Sequence, residues 1–245
     1  MEQVNTVPES PTRIEGVGRR SFLRYVGGAA VVGGILSSCT PNDAISTSSV
    51  PTNDLMKYAK QKGNGMTVDL GTGEIAILNY AYALEQLEAA YYEALLANPY
   101  DGMTMMERTL FQDIRDHEVI HREFFKRALG SAAIQGLTPN FSGINFKQRS
   151  VAIDLARQFE DVGVTAYNGA GKYLKTDAYL ITAGKIVSVE ARHAALLSEL
   201  QFPNQTAFAG DLPIDGFGLE RSREPGAVLA IANAFVMENL TISLA

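Results

Sequence analysis

Two segments of this chain place a glutamate and a histidine, three residues apart, on what ought to be the dry side of a helix. In "DHEVIHREFF", residues 116–125, Glu118 and His121 share a stripe with Leu110, Ile114, Phe125 and Ala128. In "VSVEARHAALL", residues 187–197, Glu190 and His193 share one with Ile186, Val189, Leu197 and Leu200. The i, i+3 spacing puts both side chains on one helix face, within reach of a common point. Charged side chains are almost never fully buried without a partner. With only 3 histidines in the chain, two of them in this setting is a strong constraint.

Two further helical patterns carry a matching pair. "LEQLEAAYY" holds Glu85 with Tyr92 two turns on, and "FEDVGVTAY" holds Glu160 with Tyr167 two turns on. Glu85 lies on the stripe of Leu78, Ala81 and Tyr92; Glu160 lies on that of Ile153, Ala156 and Tyr167. The chain therefore reads as two helical hairpins in tandem, each with a Glu and then Glu-x-x-His. Any one of these glutamates alone reads as a solvated surface carboxylate. Six polar residues on apolar stripes, twice in one order, do not. Unpaired, four neighbouring buried carboxylates would each cost roughly several kcal/mol or keep their protons. Two divalent cations cancel the four charges, and two neutral imidazoles complete the ligand set.

The helical patterns cover residues 74–96, 104–129, 148–170 and 176–200, the second opened by a Thr104/Glu107 capping box. Their connections run short, long, short. The long one, "SAAIQGLTPNFSGINFK", can span the length of a bundle, so the expected fold is all-α: a four-helix bundle of two antiparallel hairpins with one long crossover. A fifth, apolar helix is expected from about Glu224, in "EPGAVLAIANAFVMENL", and no β-rich region competes. The bundle is assigned to residues 70–202, with a C-terminal extension over 203–245. Residues 40–69 read as a Ser/Thr/Pro/Asn-rich tether with a short helix near 55–62.

On these residues the chain resembles the ferritin superfamily, in which two helices give a Glu and two give Glu-x-x-His to a dimetal centre. It is similar to the exported ferritin-like, desiccation-related group, and shares its double motif with rubrerythrin and bacterioferritin. The resemblance implies that Glu85 and Glu160 are terminal ligands, that Glu118 and Glu190 bridge two metals, and that His121 and His193 bind one metal each. It implies two Fe, with two Mn as the alternative, since the ligand set is also that of manganese catalases and donor softness does not separate the metals. Tyr92 and Tyr167 are then hydrogen-bond donors to ligand carboxylates or redox-active neighbours; ordinary core tyrosines fit them equally.

Neighbouring candidates rank lower. Glu88 lies one turn from Glu85, but the repeat puts Gly163 opposite it. His117 corresponds to Val189 and reads as surface or outer surroundings. Asn79 and Asp154, repeat partners, are placed to orient a histidine. Met103, Met105 and Met106 cluster at a helix start, where packing explains them as well as metal delivery does. Gly163, Gly169 and Gly171 mark close contacts, a bulge or an early end to the third helix.

The N-terminal segment "GRRSFLRYVGGAAVVGGILSSC" resembles a twin-arginine export signal: Arg19-Arg20, Phe22-Leu23, an apolar run from Val26 to Leu36 and a lipobox ending in Cys39. That run is shorter than the roughly 20 apolar residues needed to span a bilayer. The resemblance implies lipidation of Cys39 at the mature N-terminus, with membrane attachment through that anchor; a conventional cleavage nearby fits the same residues. Thr40 after the cysteine points to the outer membrane if the cell is Gram-negative. One cysteine excludes an internal disulfide framework, and a net charge of −6 argues against nucleic acid as a partner.

The function expected is a periplasmic or cell-envelope dimetal protein reacting with dioxygen or peroxide, in metal oxidation or oxidative-stress defence, with a homodimer as its assembly. A catalytically inert envelope protein for stress tolerance and an iron store are the alternatives. No rubredoxin-like cysteine pair names an electron donor.

Overall fold

The computed structural model describes residues 53–60, 65–203, 208 and 213–244. The expected signal, lipobox and Cys39 lie outside the described residues, as does most of the tether.

Four long helices form the body: α1 (Gly73–Ala97), α2 (Met105–Leu129), α3 (Arg149–Ala170) and α4 (Asp177–Gln201). α1 packs on α2 and α3 on α4, and the two hairpins meet chiefly through α1 and α3. The reason lies in the sequences. "EIAILNYAYALEQLEAAYYEALL" is apolar nearly all round, so α1 is buried on most sides, and α3 likewise. The second and fourth helices carry a single dry stripe each and face solvent along their backs.

Helix α2 begins where its sequence says it should. The Thr104 hydroxyl accepts from the Glu107 N–H at 3.1 Å, and a Glu107 carboxylate oxygen accepts from the Thr104 N–H at 2.8 Å. Arg149, at the start of α3, reaches the other Glu107 oxygen at 2.9 Å and ties the hairpins together at this end. The third helix does not end early. It runs past Gly163 to Ala170 and closes in a 3₁₀ turn, Gly171–Tyr173.

The C-terminal helix α5 spans Pro225–Ala232, with Glu224 as its N-cap and Pro225 at its first position. The chain leading into it lies directly on α3: the Arg223 N–H donates to the Thr165 carbonyl at 2.9 Å, and a Cβ on Gly169 would stand 1.7 Å from the Arg223 carbonyl oxygen. Only glycine permits that approach.

Two features depart from the sequence reading. The short helix is a single turn, Asn53–Met56. A small two-stranded parallel sheet, which the sequence reading did not single out, also pairs β1 (Thr67–Thr72) with β2 (Asn239–Ser243); the fold remains essentially all-helical. Val68, Leu70 and Leu240 point inward at period two, but each run is short and its partner lies at the other end of the chain. The crossover joins in: the Met237 N–H donates to the Thr138 carbonyl at 2.8 Å, and the Thr138 hydroxyl donates to Glu238 at 2.8 Å. No helix among the described residues is long and apolar enough to cross a membrane.

Candidate metal centre

Each bundle helix delivers its glutamate to one interior cluster. Glu85 (α1), Glu118 (α2), Glu160 (α3) and Glu190 (α4) are all completely shielded from solvent, at 0 % exposure. His193 is buried and His121 half-buried. The six residues fall into two groups of four: Glu85, Glu118, His121 and Glu190; and Glu118, Glu160, Glu190 and His193. Within each group one donor atom per residue lies within 4.8 Å of all the others. Glu118 and Glu190 belong to both.

The separations test whether divalent cations fit. His121 Nδ1 stands 3.4 Å from a Glu85 oxygen, 3.3 Å from a Glu118 oxygen and 3.0 Å from a Glu190 oxygen. His193 Nδ1 stands 2.9 Å from Glu118 and 3.2 Å from Glu160. Donors bonded at about 2.1 Å to one ion lie roughly 3.0 Å apart along an octahedral edge and roughly 3.4 Å apart along a tetrahedral one. Protons satisfy this arrangement poorly. A neutral imidazole carries one N–H, so Nδ1 serves one oxygen, not three. Four buried oxygens, one each on Glu85 and Glu118 and both on Glu190, have no hydrogen-bond partner; the Glu118 oxygen 2.9 Å from His193 lies off the direction such a bond requires. Carboxylate and imidazole donors suit Fe, Mn and other divalent cations alike.

The electrostatics agree. Burial, then the neighbouring carboxylates, pushes Glu85 and Glu190 well above the usual range, and Glu160 upward as well. Burial works against charge on the imidazoles too, yet the carboxylates around them hold His121 up to about 12 and His193 to about 10. Burial likewise opposes the Glu118 charge, but the two imidazoles bring it down to about 2. Without cations the cluster retains protons in their place.

The tyrosines cross between hairpins. Tyr92 on α1 donates to Glu160 on α3 at 2.5 Å, and Tyr167 on α3 donates to Glu85 on α1. Burial raises both phenols well above their ordinary range, so they stay protonated and act as donors. This is the pseudo-twofold repeat of the sequence, expressed as hydrogen bonds.

Glu88 is closer to the centre than its rank in the sequence suggested. It is 3 % exposed, one of its oxygens has no partner, and burial followed by the charges of Glu190 and Glu85 pushes it well above the usual range. The signal was present in Gly163, its repeat partner, which leaves the space the carboxylate fills. His117 adjoins the centre from outside, its Nδ1 2.9 Å from His193 Nε2. Burial, then His193, lowers its pKa.

Asn79 and Asp154 orient no histidine. Asn79 secures backbone instead, donating to Leu70 and Ala132 and accepting from Ile134, all within 3.1 Å. Asp154 pairs with Arg157 at 2.9 Å and Gln158 at 2.8 Å on its own helix. Met105 and Met106 are exposed at the start of α2, and Met103 packs against the main core.

Residues 73–202, more than half of the chain, match the family profile described as a ferritin-like domain. Among curated proteins none matches the chain.

Proposed function

The chain belongs to the ferritin-like domain family, and on that premise we propose that its interior cluster holds two divalent cations, iron first and manganese as the rival, and reacts with dioxygen or peroxide. The observation that carries this reading is the membership of Glu118 and Glu190 in both four-residue groups. With Glu118 and Glu190 common to both groups, the two carboxylates could serve two adjacent cations, one beside Glu85 and His121 and the other beside Glu160 and His193.

Bound there, two redox-active ions would supply electrons to the oxidant. The chain's own residues do the rest. Glu85 with His121 and Glu160 with His193 would hold one ion each, with Glu118 and Glu190 common to both. Tyr167 and Tyr92 fix one oxygen of each terminal glutamate, leaving the other for the metal. The apolar side chains of α1 and α3 keep bulk water from the cluster and strengthen its electrostatics. A ligand set this even suits ions that stay and change oxidation state better than ions in transit to a store.

This chemistry is placed in the cell envelope. The support is sequence alone: the twin arginine, apolar run and lipobox cysteine occur in export order in residues 19–39.

The deciding experiment is metal analysis of the protein purified without added metal, beside the double variant His121→Ala/His193→Ala. Close to two Fe or Mn per chain, lost in the variant, supports the reading, and oxygen and peroxide consumption then reports turnover. No bound metal after anaerobic Fe(II) or Mn(II) loading overturns it. Two bound ions that consume neither oxidant favour the inert envelope role, and a large mineral-filled assembly favours storage.

A further inference from the structure

The two halves of the cluster have the same ligands but different surroundings. His193 Nε2 lies 2.9 Å from His117 Nδ1, and the two rings are within 9° of parallel with centroids 5.2 Å apart. That spacing is too wide for face-to-face contact and fits two rings joined edge to edge through one N–H···N bond. His117 immediately precedes Glu118 on α2. At the equivalent place before Glu190 on α4 stands Val189, which offers no acceptor. Among the described residues, no side chain hydrogen-bonds His121 Nε2.

The consequence follows from where a neutral imidazole keeps its single proton. To bind a cation through Nδ1, a histidine must carry the proton on Nε2. In both half-sites the carboxylates around Nδ1 draw the proton the wrong way: Glu118 and Glu160 at His193, and Glu85, Glu118 and Glu190 at His121. Only His193 has a neighbour that pulls it back. The bond between the two rings runs in either direction with their tautomers; the one in which His117 Nδ1 accepts from His193 Nε2–H leaves the His193 Nδ1 lone pair facing Glu118 and Glu160, as a bound cation needs. The exposed side of His117 meets an open cleft between α2 and α4, lined also by Met106, Asp113 and Leu196.

From this asymmetry we propose that His117 is a positioning residue for one half-site alone, so that the cation held by Glu160 and His193 binds first and more tightly than the one held by Glu85 and His121. The inference rests on the dimetal reading. Removing the partner of a ligating histidine costs roughly 10–100-fold in metal affinity, and here that loss falls on a single ion.

The test is equilibrium dialysis of Mn(II) into chelator-stripped full-length protein, comparing wild type, His117→Val and His117→Gln. His117→Val copies the other half-site, and His117→Gln restores an acceptor. The wild type is expected to bind two ions in separated steps. In His117→Val the tighter step weakens roughly 10–100-fold towards the other, which is unchanged; His117→Gln keeps most of the separation. In the metal-free protein above about pH 10, where the His193 ring is neutral, ¹⁵N spectra are expected to show less Nε2-protonated His193 in His117→Val, a readout that a purely structural role would leave alone. Two unchanged constants in His117→Val overturn the inference while the dimetal reading stands. Equal weakening of both steps also overturns it, because His117 then supports the fold generally. If His117→Val does not fold, the separation of steps in His117→Gln against His117→Ala decides in the same way. A wild type that binds no ion removes the dimetal reading itself.

Discussion

Glu88 and Gly163 occupy equivalent positions in the two hairpins, and the one fills the space the other leaves. A Cβ on Gly163 would stand 2.7 Å from a Glu88 carboxylate oxygen and 3.4 Å from a Glu190 oxygen. The pseudo-twofold centre thus holds a fifth buried carboxylate on one side only.

Two effects of opposite sign meet in Gly163→Ala. Alanine in a helix interior is favoured over glycine by about 1 kcal/mol, but overpacking a filled interior costs roughly 1–3 kcal/mol. The displaced carboxylate is enclosed, so overpacking wins and the variant is expected to melt lower than wild type. Combined with Glu88→Ala the clash disappears, and the same glycine change becomes stabilising by about 1 kcal/mol. Denaturant unfolding of the metal-free single and double variants measures that reversal; additive effects would show that Glu88 swings clear.

Tyr92→Phe and Tyr167→Phe remove matched donors. Each leaves a buried oxygen, on Glu160 or Glu85, without its phenol, a loss of roughly 1–3 kcal/mol for a buried polar group. Metal affinity is expected to fall roughly 10–100-fold in each, on the Glu160 side for Tyr92→Phe and on the Glu85 side for Tyr167→Phe. Metal titrations of the two variants with intact helical spectra test this; unchanged affinities would make the tyrosines ordinary core residues.

The anchor reading is tested by Cys39→Ser. Wild type is expected in the membrane fraction, with an intact mass exceeding that of the processed chain by its lipid. Cys39→Ser is expected to appear soluble or unprocessed. Equal fractionation of both would remove the lipid anchor and leave conventional cleavage.

What the sequence disclosed, and what it did not, follows from how local each signal is. The helices were legible because periodicity and caps such as Thr104/Glu107 act within a few residues. The buried Glu/His cluster was legible because the motif occurs twice, on stripes otherwise apolar. Glu88 ranked low because α1 is apolar nearly all round, so no stripe marks its inner face; its small repeat partner, Gly163, was the one sign of it. Asn79 was misread because its partners are backbone groups of Leu70, Ala132 and Ile134, which no side-chain pattern records. The β1–β2 pair was invisible because short runs at opposite ends of the chain carry no register until they meet. His117 sits one residue off its stripe, and only the gap between α2 and α4 brings it to His193.

The acid limb of stability is expected to run through Glu107. Burial opposes its charge, but the Thr104 N–H and hydroxyl and the Arg149 guanidinium outweigh that and hold its carboxyl below the ordinary glutamate value. A carboxyl with a depressed pKa in the folded state binds its proton more readily when unfolded. Its contribution is therefore complete above the unfolded value, about 4.3, and is lost as pH falls through the lower folded value. Glu107→Gln keeps the shape and removes the charge. It is expected to cost about 1 kcal/mol near neutrality, the scale of a helix cap, and nothing once the wild-type carboxyl is protonated. Melting curves of the metal-free protein from pH 7 downward should converge for the two chains at the acid end. A gap that stays constant with pH would place the Glu107 contribution in packing rather than in its charge.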